Sequence, residues 1–332
     1  MRIALISDAW HPQINGVVTT LTNTVATLKT LGHEVELITP ERFKTYPWPG
    51  YPDVGLAFLC GPKARTILKA FKPDAIHLVT EGPIGYAVRR YCHEFGFRYT
   101  SSYLSHFPEY FKLRIGFPVW ISETYLRWFH CDSARVMVST ASLETQLYQA
   151  GYRRLARWSR GVDTELYRPQ PKDFIKDKRP IFMFTGRVAI EKNIEAFLKL
   201  DLPGTKYVIG DGPQKALLSN KYPAARFTGY QQKESLSRFM AAADVFVFPS
   251  RTDTFGVALL EALACGVPVA AFPVQGSKDV IIDAQTGFLN EDLQLAALSA
   301  LELNSGDCRR YALENTWEKC TKQLVDNLVP MV

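Results

Sequence analysis

The sequence predicts an α/β protein built from two Rossmann-like domains. The chain opens with an apolar strand, a turn-rich loop, an amphipathic helix and a second strand, and the same order begins again at Ile181. Residues 243–272 then give an apolar, β-prone run, a loop, a helix rich in alanine and leucine, and another apolar run. Strands that alternate with helices in this way form parallel sheets covered by helices.

Length and composition set the limits of this prediction. A chain of 332 residues with 47% hydrophobic residues is long and apolar enough for two cores. No apolar run approaches the roughly 20 residues that a membrane helix needs. The segment Met1–Ser7 is too short for a signal peptide and predicts a first strand. The six cysteines form no C-x-x-C pair, so we expect free thiols in a reducing cytoplasm.

The net charge of +6 is spread over both halves of the chain. Such a mild excess suits an anionic substrate or an anionic membrane surface and is too small for a nucleic-acid-binding protein. We therefore expect a cytoplasmic protein that binds no nucleic acid. Peripheral contact with the cytoplasmic face of the inner membrane stays open as an alternative.

The first domain begins with a strand at Arg2–Ser7 and a helix that follows over residues 17–31. No G-x-G-x-x-G follows the strand, so a dinucleotide site is not expected there. Asn15 and Gly16 instead stand at the helix start. They form either a turn with an N-cap or a place where a ligand approaches backbone N–H groups.

The rest of this domain continues the alternation. Residues 40–62 contain five prolines and predict a long loop. Ala75–Val79 predicts a strand, with Glu81 just beyond its carboxyl end, and Arg135–Val138 predicts the last strand of the first sheet.

Two segments between these strands admit more than one interpretation. His106 lies in the loop Tyr103–Phe111, just past a strand predicted at Arg98–Ser102, and it is either a packing residue or part of a site. Residues 112–130 mix basic and aromatic side chains. This mixture indicates either an interfacial membrane element or an ordinary core helix with a solvated edge.

The second domain opens with a strand at Ile181–Thr185, followed by Gly186–Asn193. A strand, a glycine and two cations before a helix are the components of a diphosphate clamp. Arg187 would supply a fork of donors and Lys192 a point charge. The alternative is a helix start with two solvated cations.

The stretch Pro249–Pro268 joins a strand end to a helix that begins near Gly256. In open α/β sheets ligands bind at the carboxyl ends of strands, and helix N-termini favour anions. Asp253 and Glu261 stand eight residues apart here and would both face a ligand. The alternative is that Asp253 caps the helix and Glu261 is solvated.

Residues 249–269 resemble the signature of the retaining glycosyltransferases of the GT-B fold, family 4. That signature is P-S-x-x-E-x-F-G-x-x-x-L-E-A-x-A-C-G-x-P-V, and Asp253 replaces its first glutamate. Residues 12–17 fit the family's P-x-x-N-G-V, residues 160–169 fit R-G-V-D-x-x-x-F/Y-x-P, and residues 186–193 fit G-R-x-x-x-E-K-N. The resemblance runs nearly end to end.

The resemblance implies two Rossmann-like domains facing a cleft. Residues 1–160 would form the acceptor domain, residues 161–315 the nucleotide-sugar donor domain, and residues 316–332 a helix that crosses back to the first domain. It further implies transfer of a hexosyl group from a UDP- or GDP-sugar with retention of anomeric configuration, with neither a metal nor a cofactor. The leaving phosphate would help to take the acceptor's proton.

The resemblance also implies roles for individual residues. Asp253 would contact the transferred sugar together with His106, Glu261 the ribose, and the backbone at Gly16 a phosphate. The expected catalytic set is His106, Arg187, Lys192 and Asp253. The expected donor-binding set is Gly16, Gly186, Arg187, Lys192, Gly210, Gly212, Asp253, Phe255, Gly256 and Glu261. The expected acceptor-side set is Asn15, Glu81, Tyr103, His106 and Glu109.

The acceptor and the sugar are less closely defined. The loops look most like those of bacterial members that glycosylate diacylglycerol or similar lipids, and like mannosyltransferases, so UDP-glucose and GDP-mannose are the expected donors. A soluble or polysaccharide acceptor is the alternative. Two other classes stay open: a nucleotide-sugar-binding protein weakened by Asp253, and a GT-B epimerase or phosphorylase. The sequence predicts no oligomeric state.

Overall fold

The computed structural model of the chain describes residues 1–13, 15–48, 51–104, 112 and 116–332. These residues form two compact units. The first is Met1–Ser159 with Trp317–Val332, and the second is Arg160–Thr316. Each unit contains a six-stranded sheet whose strands all run parallel.

The sheet of the first unit has the strand order β2-β1-β5-β6-β7-β8. The elements of this unit are β1 (Arg2–Ile6), α1 (Gly16–Thr30), β2 (Glu34–Ile38), β3 (Thr45–Trp48), β4 (Tyr51–Ala57), α2 (Gly61–Phe71), β5 (Ala75–Leu78), α3 (Pro83–Phe95), β6 (Thr100–Tyr103), α4 (Val119–His130), β7 (Arg135–Val138), α5 (Ala141–Gln149), β8 (Leu155–Arg157) and, at its C-terminal end, α13 (Trp317–Asn327).

Local sequence explains where the first helix begins and what covers it. The Asn15 side chain accepts hydrogen bonds from the backbone N–H groups of Val17 and Val18, both at 3.0 Å, so it caps α1. Helix α13 packs against α1. The last helix of the chain therefore belongs to the first unit.

Two predictions for this unit are wrong. Residues 40–62 are not one long loop, because β3 and β4 pair there as an antiparallel hairpin and α2 begins at Gly61. Pro47 is tolerated because a two-stranded sheet consists of edge strands. Arg135–Val138 is not the last strand, since β8 pairs with it at the edge. Strand β8 has only three half-buried residues, too few to show a periodic pattern.

The sheet of the second unit has the strand order β11-β10-β9-β12-β13-β14. The elements of this unit are β9 (Ile181–Thr185), α6 (Ile194–Leu198), β10 (Thr205–Ile209), α7 (Lys215–Lys221), β11 (Arg226–Gly229), α8 (Lys233–Ala242), β12 (Val245–Phe248), α9 (Val257–Ala264), β13 (Val269–Ala271), α10 (Ser277–Val280), β14 (Gly287–Leu289), α11 (Leu293–Ser299) and α12 (Ser305–Leu313). The order reverses between β9 and β12, and ligands bind at such switch points.

Both faces of this second sheet are buried. Along β9, Met183 packs into one hydrophobic cluster, whereas Phe182 and Phe184 pack into the cluster on the other face. Strand β12 divides in the same way, with Phe246 on the first face and Val247 on the second. Near-continuous apolar strands are what a doubly covered parallel sheet requires. The ends of β9 and β12 are therefore anchored by core on both sides.

Candidate active site

The loops that follow β9 and β12 are hydrogen-bonded to each other at the switch point. Asn193 donates from Nδ2 to the carbonyl of Pro249 at 3.0 Å. Ser250 and Thr252 donate from their hydroxyls to the carbonyl of Glu191 at 3.3 and 3.2 Å. These bonds join the loop after β9, Gly186–Asn193, to the loop after β12, which contains Asp253. The side chains of the two loops therefore lie close together.

Lys192 and Asp253 form an ion pair across these two loops. The ammonium of Lys192 donates to Oδ1 of Asp253 at 2.6 Å, and the side chains are only 22% and 15% exposed. Oδ2 of Asp253 is buried, and no group in the described part of the chain donates to it. Helix α9 has Gly256 at its N-cap with no side-chain cap, so the interpretation of Asp253 as a cap is wrong.

A third loop fixes the backbone of Asp253. Gly276 has φ +84°, and a Cβ at that position would lie 2.5 Å from the carbonyl oxygen of Asp253. Only glycine allows this approach. The loop after β13 thus packs directly against the Asp253 carbonyl.

Two of the expected donor-binding glycines have a structural reason of their own. A Cβ at Gly210 would lie 1.9 Å from the Gly186 oxygen, and a Cβ at Gly212 would lie 2.4 Å from the Val188 oxygen. The N–H of Val188 donates to the carbonyl of Asp211 at 2.8 Å. The loop after β10 therefore packs closely on the loop after β9, while contact of these glycines with a donor stays a prediction.

Two further residues of the expected donor-binding set differ in exposure. Arg187 is half-buried and lies on the same loop as Lys192. The side chain of Phe255 is buried in the hydrophobic core of the unit, where it packs rather than faces solvent. A donor would therefore meet Phe255 through its backbone, and both contacts stay predictions.

Glu261 lies in the second turn of α9 and is not a solvated carboxylate, so that alternative is wrong. Burial raises its pKa to about 7, against the smaller lowering effects of the Tyr167 hydroxyl and of the Lys233 charge. Arg309 donates to the carbonyls of Tyr167 and Ala264, both at 2.7 Å. Arg309 thereby joins the segment around Tyr167 to the end of α9.

Sequence reasoning did not single out the Tyr167 hydroxyl or Arg309. The segment R-G-V-D-x-x-x-F/Y-x-P accepts either aromatic residue at the position of Tyr167. Only the choice of Tyr over Phe at this position indicates a hydrogen-bonding role. The partner of that hydroxyl, Glu261, lies 94 positions later in the chain, so the motif alone does not reveal the pair.

In the first unit, Gly16 is the first residue of α1. A Cβ there would meet no atom of the described residues within 4 Å, so packing does not require glycine at this position. The backbone is thus open to close approach, which is what a phosphate contact needs. The contact itself stays a prediction.

Glu81 lies just past β5 and is held by two residues of α4. Its Oε1 is 3.2 Å from Nε2 of His130, and its backbone carbonyl accepts from the Tyr125 hydroxyl at 2.6 Å. Tyr103 is buried at the end of β6, with its ring centroid 6.2 Å from that of His130. His106 and Glu109 lie outside the described residues.

Asp8 is a second buried carboxyl group at this edge that sequence reasoning missed. It accepts from the backbone N–H groups of Ile84 and Gly85 at 2.7 and 3.2 Å, and from the Thr80 hydroxyl at 3.0 Å. Burial raises its pKa to about 6 in spite of these bonds. Asp8 therefore ties the end of β1 to the N-terminus of α3.

The described residues bring no three His, Cys, Asp or Glu side chains together as a metal site. The expectation of a metal-free reaction stays a prediction. Over the same residues, no helix has the length and apolarity needed to cross a membrane.

A comparison with solved structures shows the fold of the chain. The chain is similar to sucrose-phosphate synthase (tll1590) from Thermosynechococcus elongatus, with a TM-score of 0.81 and 20% identity over 98% of this chain and 97% of that one. That likeness shows the fold, and the predicted α/β fold of two Rossmann-like domains is confirmed as the GT-B fold.

Family models and curated relatives then identify the family. The model described as Glycosyltransferase Family 4 matches residues 14–166, and the model described as Glycosyl transferases group 1 matches residues 168–305. The chain belongs to glycosyltransferase family 4, and the predicted resemblance is confirmed.

Two curated relatives are similar over most of their length. The GDP-mannose-dependent alpha-mannosyltransferase of Mycobacterium tuberculosis (strain CDC 1551 / Oshkosh) is 30% identical over 318 residues, 87% of this chain and 83% of that protein. The alpha-monoglucosyldiacylglycerol synthase of Streptococcus pneumoniae (strain ATCC BAA-255 / R6) is 26% identical over 346 residues, 91% of this chain and 78% of that protein.

The buried carboxyl of Glu261 makes stability depend on pH. Its pKa is raised to about 7 in the folded state from 4.5, so its contribution is fully favourable below pH 4.5 and is lost as the pH rises through 7. The cost at pH 8 is at most about 3 kcal/mol, and less because the residue keeps some exposed surface.

Glu261→Gln cannot ionise and should remove this cost. We expect the variant to gain stability relative to the parent chain between pH 5 and pH 8, measured by denaturant unfolding at both values. Glu302→Gln, with an exposed carboxylate on the same unit, serves as the control. Parallel pH profiles for all three proteins would refute the assignment.

Proposed function

We propose that this glycosyltransferase moves a hexosyl group from a nucleotide diphosphate sugar to an acceptor hydroxyl, with retention of anomeric configuration. The observation that supports it is the Lys192–Asp253 pair at the switch point, with one buried carboxylate oxygen left to accept a hydrogen bond. When the diphosphate leaves the sugar, it gains negative charge and the sugar ring gains positive charge. A cation and a carboxylate side by side are complementary to these two charges. Retention rests on the family resemblance.

Lys192 and Asp253 would stabilise opposite charges in the transition state. Departure of the diphosphate builds negative charge on its oxygens, and a preorganised ammonium such as that of Lys192 stabilises this charge. Arg187, on the same loop, would add a fork of donors. The sugar ring becomes positive at the same time, and the Asp253 carboxylate would bind its hydroxyls and offset that charge.

Donor binding should change the partner of Lys192. A diphosphate presents more negative charge than a single carboxylate, so its oxygens compete with Asp253 for the ammonium. When Lys192 turns to the phosphates, both oxygens of Asp253 become free to accept from the sugar. The 2.6 Å pair is therefore the arrangement without donor, and donor binding breaks it.

The choice of donor rests on the relatives. GDP-mannose is the first donor to test, because a relative named for its dependence on GDP-mannose matches most of the chain. UDP-glucose is the second. No metal is expected in the transfer, since the two cations of the loop would neutralise the diphosphate.

Lys192→Ala removes the ammonium that the leaving group needs. We expect its kcat for sugar transfer to fall about 100-fold or more. Lys199→Ala is the matched control, because Lys199 is an exposed lysine a few residues further along the same segment. Initial rates with radiolabelled GDP-mannose and UDP-glucose measure the effect. Wild-type rates in Lys192→Ala would rule out the diphosphate role.

A lipid acceptor is the second part of the proposal. Helix α4 exposes Trp120 at 68%, Trp128 at 44% and Tyr125 at 38%, and Tyr86 of α3 lies against Trp128 with ring centroids 6.0 Å apart. Exposed aromatics beside a cation such as Arg127 are typical of surfaces that lie in a membrane interface. One relative is named for making a glucosyldiacylglycerol. We therefore propose diacylglycerol or a similar lipid as acceptor, with peripheral membrane contact through α4.

Trp120→Ser tests this surface. We expect its affinity for vesicles with 30% anionic lipid to fall about tenfold, because a large apolar side chain no longer enters the interface. Co-sedimentation at low salt measures the binding.

Leu217→Ser is the control for that measurement, since Leu217 is 64% exposed on α7 of the other unit. Absence of vesicle binding by the parent chain would favour a soluble or polysaccharide acceptor. Equal loss in both variants would exclude α4 as the specific contact.

A further inference from the structure

An unbroken chain of four side chains lies beneath the acceptor-side edge of the first unit. Ser133 and Ser101 are joined through their hydroxyl oxygens at 2.7 Å. Ser101 then reaches Nδ1 of His130 at 2.7 Å, and Nε2 of His130 reaches Oε1 of Glu81 at 3.2 Å. Both serines are fully buried, and His130 is 2% exposed. Ser133, Ser101 and His130 are therefore shielded from solvent.

The chemistry of the four groups fixes where the protons lie. When the Glu81 carboxylate is the acceptor, Nε2 of His130 must hold a proton and donate it. Nδ1 is then able to accept from the Ser101 hydroxyl, and the oxygen of Ser101 accepts from Ser133. In this arrangement each of the three hydrogen bonds has one donor and one acceptor.

Helix α4 holds Glu81 at a second point and is itself fixed. Its Tyr125 hydroxyl donates to the Glu81 carbonyl at 2.6 Å. The buried guanidinium of Arg89 donates to the carbonyls of Phe129 and Trp128, at 2.9 and 3.1 Å, at the C-terminal end of the helix. Glu81 is therefore held through its backbone carbonyl as well as through its side chain.

We propose that His130 is a positioning residue that donates to Glu81 and fixes its carboxylate, so that Glu81 accepts a hydrogen bond from the acceptor's hydroxyl group. Oε1 is occupied by His130, and Oε2 accepts from no residue that the structure describes. The inference rests on the proposed transfer reaction, because that reaction supplies the hydroxyl. A polar bond that merely stabilises the core would leave substrate affinity unchanged.

The first test needs no substrate. Nitrogen-15 spectra of the full chain, labelled at histidine and assigned with His130→Gln, report which ring nitrogen holds a proton. We expect Nε2 of His130 to be protonated. An unprotonated Nε2 with a protonated Nδ1 would overturn the proposal, because Glu81 would then have to donate.

The second test separates the two substrates. His130→Leu removes the donor to Glu81, and we expect the acceptor KM to rise about tenfold while the donor KM stays constant. His130→Gln keeps an N–H donor at the end of its side chain and should restore most of the acceptor affinity. His93→Leu is the matched control, since exposed His93 pairs with Asp132 at 2.7 Å instead.

Different outcomes bear on different claims. An unchanged acceptor KM in His130→Leu, or an equal rise of both KM values, would overturn the positioning role. A His130→Gln variant that is folded, as judged by thermal unfolding, but does not restore the acceptor KM would also overturn the positioning role. A chain that transfers no sugar overturns the proposed function alone, and the nitrogen spectrum then still decides where the proton lies.

Discussion

The ion pair between Lys192 and Asp253 is the interaction on which the site depends. Two half-buried charges are stable only when they are paired and well placed. The sheet supplies the placement, because β9 and β12 are buried on both faces and end at the switch point. Loop-to-loop hydrogen bonds and the close approach of Gly276 then hold the backbone around Asp253. The ion pair between Lys192 and Asp253 is therefore positioned by the buried strands β9 and β12 that carry the two loops.

The carboxyl edges of both sheets hold a carboxyl group with a raised pKa. In the first unit this is Asp8, at about 6, and in the second it is Glu261, at about 7. Burial is the main cause in each case, so both groups lower stability when they ionise. Groups perturbed in this way cluster at functional sites.

The sequence predicted the two sheets and the loop pair well, because the signals are local. Apolar strands end at glycine or proline, and Lys192 and Asp253 stand at fixed distances from those ends. His130 and the Tyr167 hydroxyl were missed for the opposite reason, since their partners lie 49 and 94 positions away in the chain. The hairpin within 40–62 was missed because its five prolines indicated a loop.

Binding calorimetry with GDP and GDP-mannose, repeated with UDP and UDP-glucose, tests the central claim most directly. The account predicts that Lys192→Ala weakens nucleotide diphosphate and nucleotide sugar alike, by about tenfold or more. Asp253→Asn should weaken the sugar nucleotide alone and leave the diphosphate unchanged or tighter, because Lys192 loses its competing partner. Wild-type affinity of Lys192→Ala for all four ligands, when the parent chain binds at least one, would contradict it.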